Sequence, residues 1–179
     1  QKKPHEAAVV LRVFEDKDGK PIYWFCDETT VRGDEYELSA SVVALGIMPG
    51  QALWIPDCSG SYQGSQRIPG RTSFAMLEEH GWHIEPAEII RIPDKSEHPR
   101  NPEVGARLTL TLRLMEERHV RVDSTCEWLI ECFAKCQLRR NEYGKRHPKG
   151  RYAHPSDAAC YPIWRLETVK SPVRRGGGW

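Results

Sequence analysis

The sequence predicts an α+β fold, with antiparallel β-sheets built from hairpins and two or three helices. Three observations carry this expectation. Two strand-like apolar runs flank Asp18-Gly19, a dipeptide suited to a tight hairpin turn. A longer alternating run, Arg107 to Met115, places Leu108, Leu110, Leu112 and Leu114 at every second position. Ser124-x-x-Glu127 then has the form of a capping box ahead of Trp128, Leu129, Cys132, Phe133 and Cys136 at helical spacing. The longest helix is expected near residues 124–140.

The elements follow in order. Ala7 to Phe14 and Pro21 to Cys26 form the first hairpin, and an acidic loop runs from Asp27 to Glu37. Ser39 can cap a short helix to Leu45, ended by Gly46 and followed by the Pro49-Gly50 turn. Gln51 to Ile55 reads as a strand, and the Gly/Ser-rich stretch from Cys58 to Gly70 as a loop. Ser73 then caps a helix closed by Gly81, with short strands near Trp82 to Ile84 and Ala87 to Ile92. Asp94 to Asn101 reads as an exposed connector. Arg107 to Met115 reads as a half-buried strand with His119 to Val122 pairing back, and Tyr161 to Val169 as a last strand.

At 179 residues, 39% of them apolar and 28% charged, the chain suits one globular domain with its own core. No apolar run is long enough to cross a bilayer, so no membrane partner is expected. Six cysteines permit fifteen disulfide pairings. A chain of this size and apolar content needs no bridges, and the reading is a reduced, cytoplasmic protein.

Net charge of +1 conceals a division along the chain. From Ala134 to Trp179 there are eleven Lys/Arg against three acids, a surplus of +8, and the first 133 residues carry −7. The expected organisation is an acidic α+β body over 1–143 and a basic C-terminal segment over 144–179. Arg139 and Arg140 suit the negative end of the predicted helix.

The basic segment carries the leading functional expectation. Lys145, Arg146, Lys149 and Arg151 are interleaved with Tyr143 and Tyr152, and Arg174 and Arg175 precede a Gly-rich end. Cations neutralise phosphates and aromatic rings stack on unpaired bases. These ten residues, from Arg139 to Arg175, are the predicted nucleic-acid contacts of a non-catalytic RNA- or single-stranded-DNA-binding domain, a subunit or regulator of a larger complex. The first alternative is a protein-interaction module docking an acidic partner. The second is a small nuclease using His119, His147 or His154.

Other clusters are weaker. Cys132, Cys136, His147, His154 and Cys160 are soft ligands that suit a structural zinc, but their spacing matches no finger, and Cys132 and Cys136 fall on the apolar stripe. No cofactor is therefore expected. The Gly/Ser loop with Arg67 and Arg71 lacks the phosphate-loop pattern. His80, His83 and the glutamates around them make no metalloprotease motif. No catalytic set is predicted.

Overall fold

The computed structural model describes residues 6–58, 70–91, 97–135, 138–140, 146–148 and 153–168. Its architecture is mixed α and β, with five helices and several small sheets among these residues. The α+β expectation holds, with more helix than the sequence pattern suggested.

The first hairpin joins β1 (Glu6–Glu15) to β2 (Pro21–Val31), antiparallel with a bulge between Val10 and Leu11. Gly19 turns the chain at φ 73°, where a side chain would be strained. Strand β2 runs on to Val31, into the stretch expected as acidic loop. Helix α1 (Glu35–Ala44) starts under Asp34, not Ser39. The Asp34 carboxylate accepts the N–H groups of Tyr36 and Glu37 at 3.0 and 3.2 Å. Ser39 is instead buried, and its Oγ accepts the Trp82 indole N–H at 2.7 Å.

Strand β3 (Leu53–Trp54), helix α2 (Ser73–Glu79) and strand β4 (His83–Ile84) follow, and β3 and β4 pair in parallel. Thr72 rather than Ser73 caps α2, accepting the Ala75 N–H at 3.2 Å. Strand β5 (Glu88–Arg91) falls within the strand expected at 87–92, and β6 (Glu97–Arg100), in the stretch expected as an exposed connector, pairs with it antiparallel.

The largest departure is at residues 107–115, which lie in helix α3 (Val104–Glu116) rather than a strand. Leu108, Thr111 and Leu114 are buried together with Arg107, whereas Leu112 is half exposed. That is a stripe of three- and four-residue spacing. The leucines alternate, but burial does not, and Leu, Arg and Met are strong helix formers. Arg118 ends the helix in the left-handed region at φ 62°, with the His119 N–H returning to the Leu114 carbonyl at 2.8 Å. Strand β7 (Val120–Val122) therefore pairs in parallel with β2, giving the sheet order β1-β2-β7.

Helix α4 (Glu127–Lys135) is shorter than expected, and Glu28 of β2 caps it. Its carboxylate accepts the Trp128 and Leu129 N–H groups at 2.7 and 2.8 Å. Strands β8 (Leu138–Arg140) and β9 (Arg146–Pro148) form a small hairpin. Arg139 and Arg140 thus lie in a strand, and Lys135 is the basic residue of the last turn of α4. The final helix, α5 (Ala153–Thr168), replaces the strand expected at 161–169 and is the longest helix described.

Two apolar clusters hold these parts. Tyr23 and Phe25 of β2 pack with Leu114, Cys126, Leu129, Ala159 and Ile163, which joins the sheet to α3, α4 and α5. Val42, Leu77 and Trp82 form the second cluster, where Trp54 meets Trp82 edge to face at 4.9 Å. No described helix is long and apolar enough to cross a membrane.

Candidate functional site

Two carboxylates line one cleft of about 590 Å³, Asp57 just after β3 and Asp157 near the start of α5. Neutral donors fix Asp57. The Asn101 side chain donates to its Oδ1 at 3.0 Å and the Tyr161 hydroxyl to its Oδ2 at 3.0 Å. Asn101 is itself oriented by accepting the Cys58 N–H at 2.9 Å. These contacts hold both oxygens of Asp57 in place.

Asp157 is held differently. Arg107, 2% exposed on α3, donates from Nη2 to Asp157 Oδ1 at 2.6 Å. The same guanidinium lies 4.3 Å from the centre of the Tyr161 ring. Tyr161 stands one turn after Asp157 on α5, so its hydroxyl reaches one acid while its face supports the arginine that holds the other. Burial pushes the Tyr161 hydroxyl well above the ordinary phenol range. It stays a neutral donor to Asp57 at any physiological pH.

Glu85 meets α5 further along the helix, through Arg165, one turn beyond Tyr161. Burial raises its carboxyl, but the hydrogen bond and charge of Arg165, with those of His83, outweigh that and hold it below the usual glutamate range. The Arg165 Nη2 to Glu85 Oε2 distance is 2.9 Å. His80 packs edge-on against Tyr36, and His83 pairs with Glu85 at 3.3 Å, so neither histidine reaches the acid pair through the contacts seen.

The sequence-predicted contacts divide into two groups. Arg139 and Arg140 lie on β8 and Arg146 on β9. Arg140 is opposite Arg146 and Arg139 opposite His147, and β9 packs beside α3, the helix that carries Arg107. Tyr143, Lys145, Lys149, Arg151, Tyr152, Arg174 and Arg175 lie outside the described residues.

Of the proposed zinc set, Cys132 is buried on α4 and Cys160 on α5. His147 falls on β9 and His154 in the first turn of α5, and Cys136 lies outside the described residues. Among the described residues no group of three or more His, Cys, Asp or Glu is placed to hold a metal, and no disulfide joins the described cysteines. His119, one of the nuclease alternatives, lies at the turn end of the first hairpin, 3.2 Å from the Pro21 carbonyl.

Sequence reasoning passed over Asp57, Asn101, Arg107, Asp157 and Tyr161. The available signal was the four-residue spacing of Asp157 and Tyr161, which shares a face only on a helix. Reading 161–169 as a strand hid it. Arg107 was likewise placed on the wet face of a strand, although it is among the most buried side chains described.

No protein-family model matches this chain, and no curated protein matches it in sequence. A solved structure of the P22 large terminase nuclease domain is similar in fold, with a TM-score of 0.57 and 18% identity over 91% of this chain and 81% of that one. At that identity the likeness is one of fold.

Proposed function

We propose that this domain acts on nucleic acid and hydrolyses phosphodiester bonds at the cleft where Asp57 and Asp157 meet. The observation that carries the reading is that Asp57, just after β3, and Asp157 of α5 line one cleft and are held by Tyr161, Asn101 and Arg107. Its support from outside the chain is the fold shared with a nuclease domain.

Two carboxylates facing a polyanion need a cation between them. Hard oxygen donors suit Mg²⁺ or Mn²⁺, and Mg²⁺ is commonly held by one or two carboxylates together with substrate phosphate. The donor set fits that pattern, with Asp57 and Asp157 as the residues that would hold the ion. When bound, such an ion polarises the phosphoryl oxygen and lowers the pKa of attacking water. The chain's own groups do the positioning. Tyr161 and Asn101 fix the Asp57 plane, and Arg107 fixes Asp157. The basic residues of the β8–β9 hairpin and the flanking stretch, Arg139 to Arg151, bind the phosphate backbone.

The test is cleavage of single-stranded and duplex DNA and of RNA by the full chain with Mg²⁺ or Mn²⁺. Activity that chelation removes, and that Asp57→Asn and Asp157→Asn each abolish while the proteins stay folded by urea titration, is the expected result. Cleavage unaffected by both substitutions would overturn the reading.

The basic segment favours a second reading, binding without cleavage. It predicts salt-dependent retention of nucleic acid that weakens when Lys145, Arg146, Lys149 and Arg151 are neutralised, with no product formed under any metal.

A further inference from the structure

We infer that the outer face of the β1-β2-β7 sheet, at its turn end, is a platform for single-stranded DNA. Trp24 and Phe14 stack on bases, and Arg12 and Arg121 hold phosphates on either side. The inference adds a binding surface to the acid-pair reading and does not depend on cleavage.

Leu11 of β1, Tyr23 and Phe25 of β2, and Val120 and Val122 of β7 pack in the cluster shared with α3, α4 and α5. Side chains alternate across a strand, so Arg12, Trp24 and Arg121 emerge on the opposite face. Register lines them up. Arg12 pairs with Trp24, and Trp24 with Arg121, one row across three strands in the order Arg-Trp-Arg. Phe14 stands two residues along β1, diagonal to Trp24, at a spacing that aromatic side chains bridge. Arg121 reaches back across β2, its guanidinium 5.9 Å from the centre of the Phe14 ring, which sets both on this face.

Helices roof only the other half of the face. Ala8, on the same side of β1 as Arg12, packs with Val42, Leu77 and Trp82 of the second cluster. Toward the turn that cover ends. Arg12, Phe14 and Arg121 are exposed, Phe14 by 42%, and Trp24 is half-buried. Aromatic surface left in water and rimmed by charge marks an interaction site.

Chemistry selects the occupant. Ring faces stack on any unpaired base, whereas a duplex keeps its bases in its own stack, and guanidinium groups neutralise phosphate. The two arginines stand two strand spacings apart, about 9–10 Å, with the indole between them. A single strand presents phosphate, base and phosphate in the same order. Arg12, Phe14, Ile22, Trp24 and Arg121 make up this part of the face, and no acid is among them, so a polyanion meets no like charge there. Asp27 lies in the next row, opposite Val10, where its carboxylate accepts the Glu28 N–H at 3.1 Å. The five side chains offer donors and rings but no acceptor. A 2′-hydroxyl buried against them would leave its proton without a partner, and DNA has none to bury. That selects DNA over RNA.

The test is binding of a fluorescein-labelled oligothymidylate to the full chain, read by anisotropy in EDTA so that no metal-dependent cleavage intervenes. Phe14→Leu and Trp24→Leu should each weaken binding about fivefold or more, and Trp24→Tyr should restore most of the loss. Arg12→Gln with Arg121→Gln should lower the slope of log affinity against log salt by about 1.4. Duplex DNA should bind the parent and Phe14→Leu equally. The place of contact is read on the unsubstituted chain, because the basic segment can also hold DNA. An oligonucleotide carrying 5-bromodeoxyuridine, irradiated in the complex, should crosslink at Trp24 or Phe14 by mass spectrometry. Crosslinks confined to other residues, equal loss of duplex binding in Phe14→Leu, or an oligouridylate bound as tightly as the DNA would overturn the inference. So would self-association of the chain that Phe14→Glu removes, which would identify a second copy as the occupant. None of these readouts needs a cleaved product, so failure of the acid-pair reading leaves the result intact.

Discussion

Arg107 and Asp157 form an ion pair at 2.6 Å whose partners differ sharply in burial, the arginine side chain being 2% exposed and the aspartate 28%. The two ends of the pair therefore respond differently to truncation. Asp157→Ala strands a buried guanidinium and should cost about 3–5 kcal/mol. Arg107→Met leaves an aspartate that water can reach and should cost less, about 1–3 kcal/mol. Asp157→Asn keeps an acceptor for Arg107 and should stay closest to the parent. Urea denaturation of the three variants checks the order.

The start of α4 offers a comparison between two candidate caps. Glu28 holds two of its N–H groups from another strand, although Ser124-x-x-Glu127 has the form of a local capping box. Glu28→Ala should destabilise by about 1–2 kcal/mol, as losing a cap does. Ser124→Ala, at an exposed position, should stay within about 0.5 kcal/mol of the parent. Equal losses would return the cap to Ser124.

Alkaline pH should destabilise the fold through two phenols. Burial raises Tyr23 and Tyr161 well above the ordinary value, and for Tyr23 the carboxylate of Glu167 adds to it. A phenol that stays protonated when folded but ionises when unfolded favours folding fully below pH 10. Its contribution is lost as pH rises through the unfolded pKa. Each tyrosine should cost about 1.4 kcal/mol per pH unit above that point. Tyr161→Phe should halve the slope measured by denaturant titration between pH 9.5 and 11.

Thiol labelling should proceed in two classes. Burial pushes Cys58 and Cys126 up to about 11. At pH 8 roughly one such thiol in a thousand is thiolate, and both are shielded as well. Of the described cysteines Cys26, half-buried on β2, should label first with a maleimide, and the remainder only in denaturant. Rapid native labelling of Cys126 would contradict its packing against the Phe25 carbonyl, 3.7 Å away.

Arg118 offers a stabilising change. It occupies the left-handed region at the end of α3, where a side chain is disfavoured. Arg118→Gly should raise stability by about 0.5–1 kcal/mol, read from the midpoint of thermal or urea unfolding.

Local chemistry made part of this fold legible. The Asp18-Gly19 hairpin and the Gly46 and Gly81 stops depend on backbone geometry within a few residues, and all three are found where expected. Residues 107–115 and 161–168 were misread because a short apolar run fits either period, and tertiary packing decides between them. Leu112 would point inward on a strand, but on α3 it faces solvent. The acid pair was hidden for a related reason. Asp57 and Asp157 are far apart in the chain, and only the helical form of α5 sets Tyr161 between them.

The hydrogen bond from Tyr23 to Glu167, 2.5 Å long, spans 144 residues, and Phe25 beside it is buried against the same final helix. During synthesis the first hairpin therefore emerges long before the surface that covers it. At about 5–20 residues per second, roughly 7–30 s separate the two partners on the ribosome. For that interval the nascent chain presents Tyr23 and Phe25 without the final helix that completes their cover, which makes the hairpin the natural point of engagement for a holding chaperone.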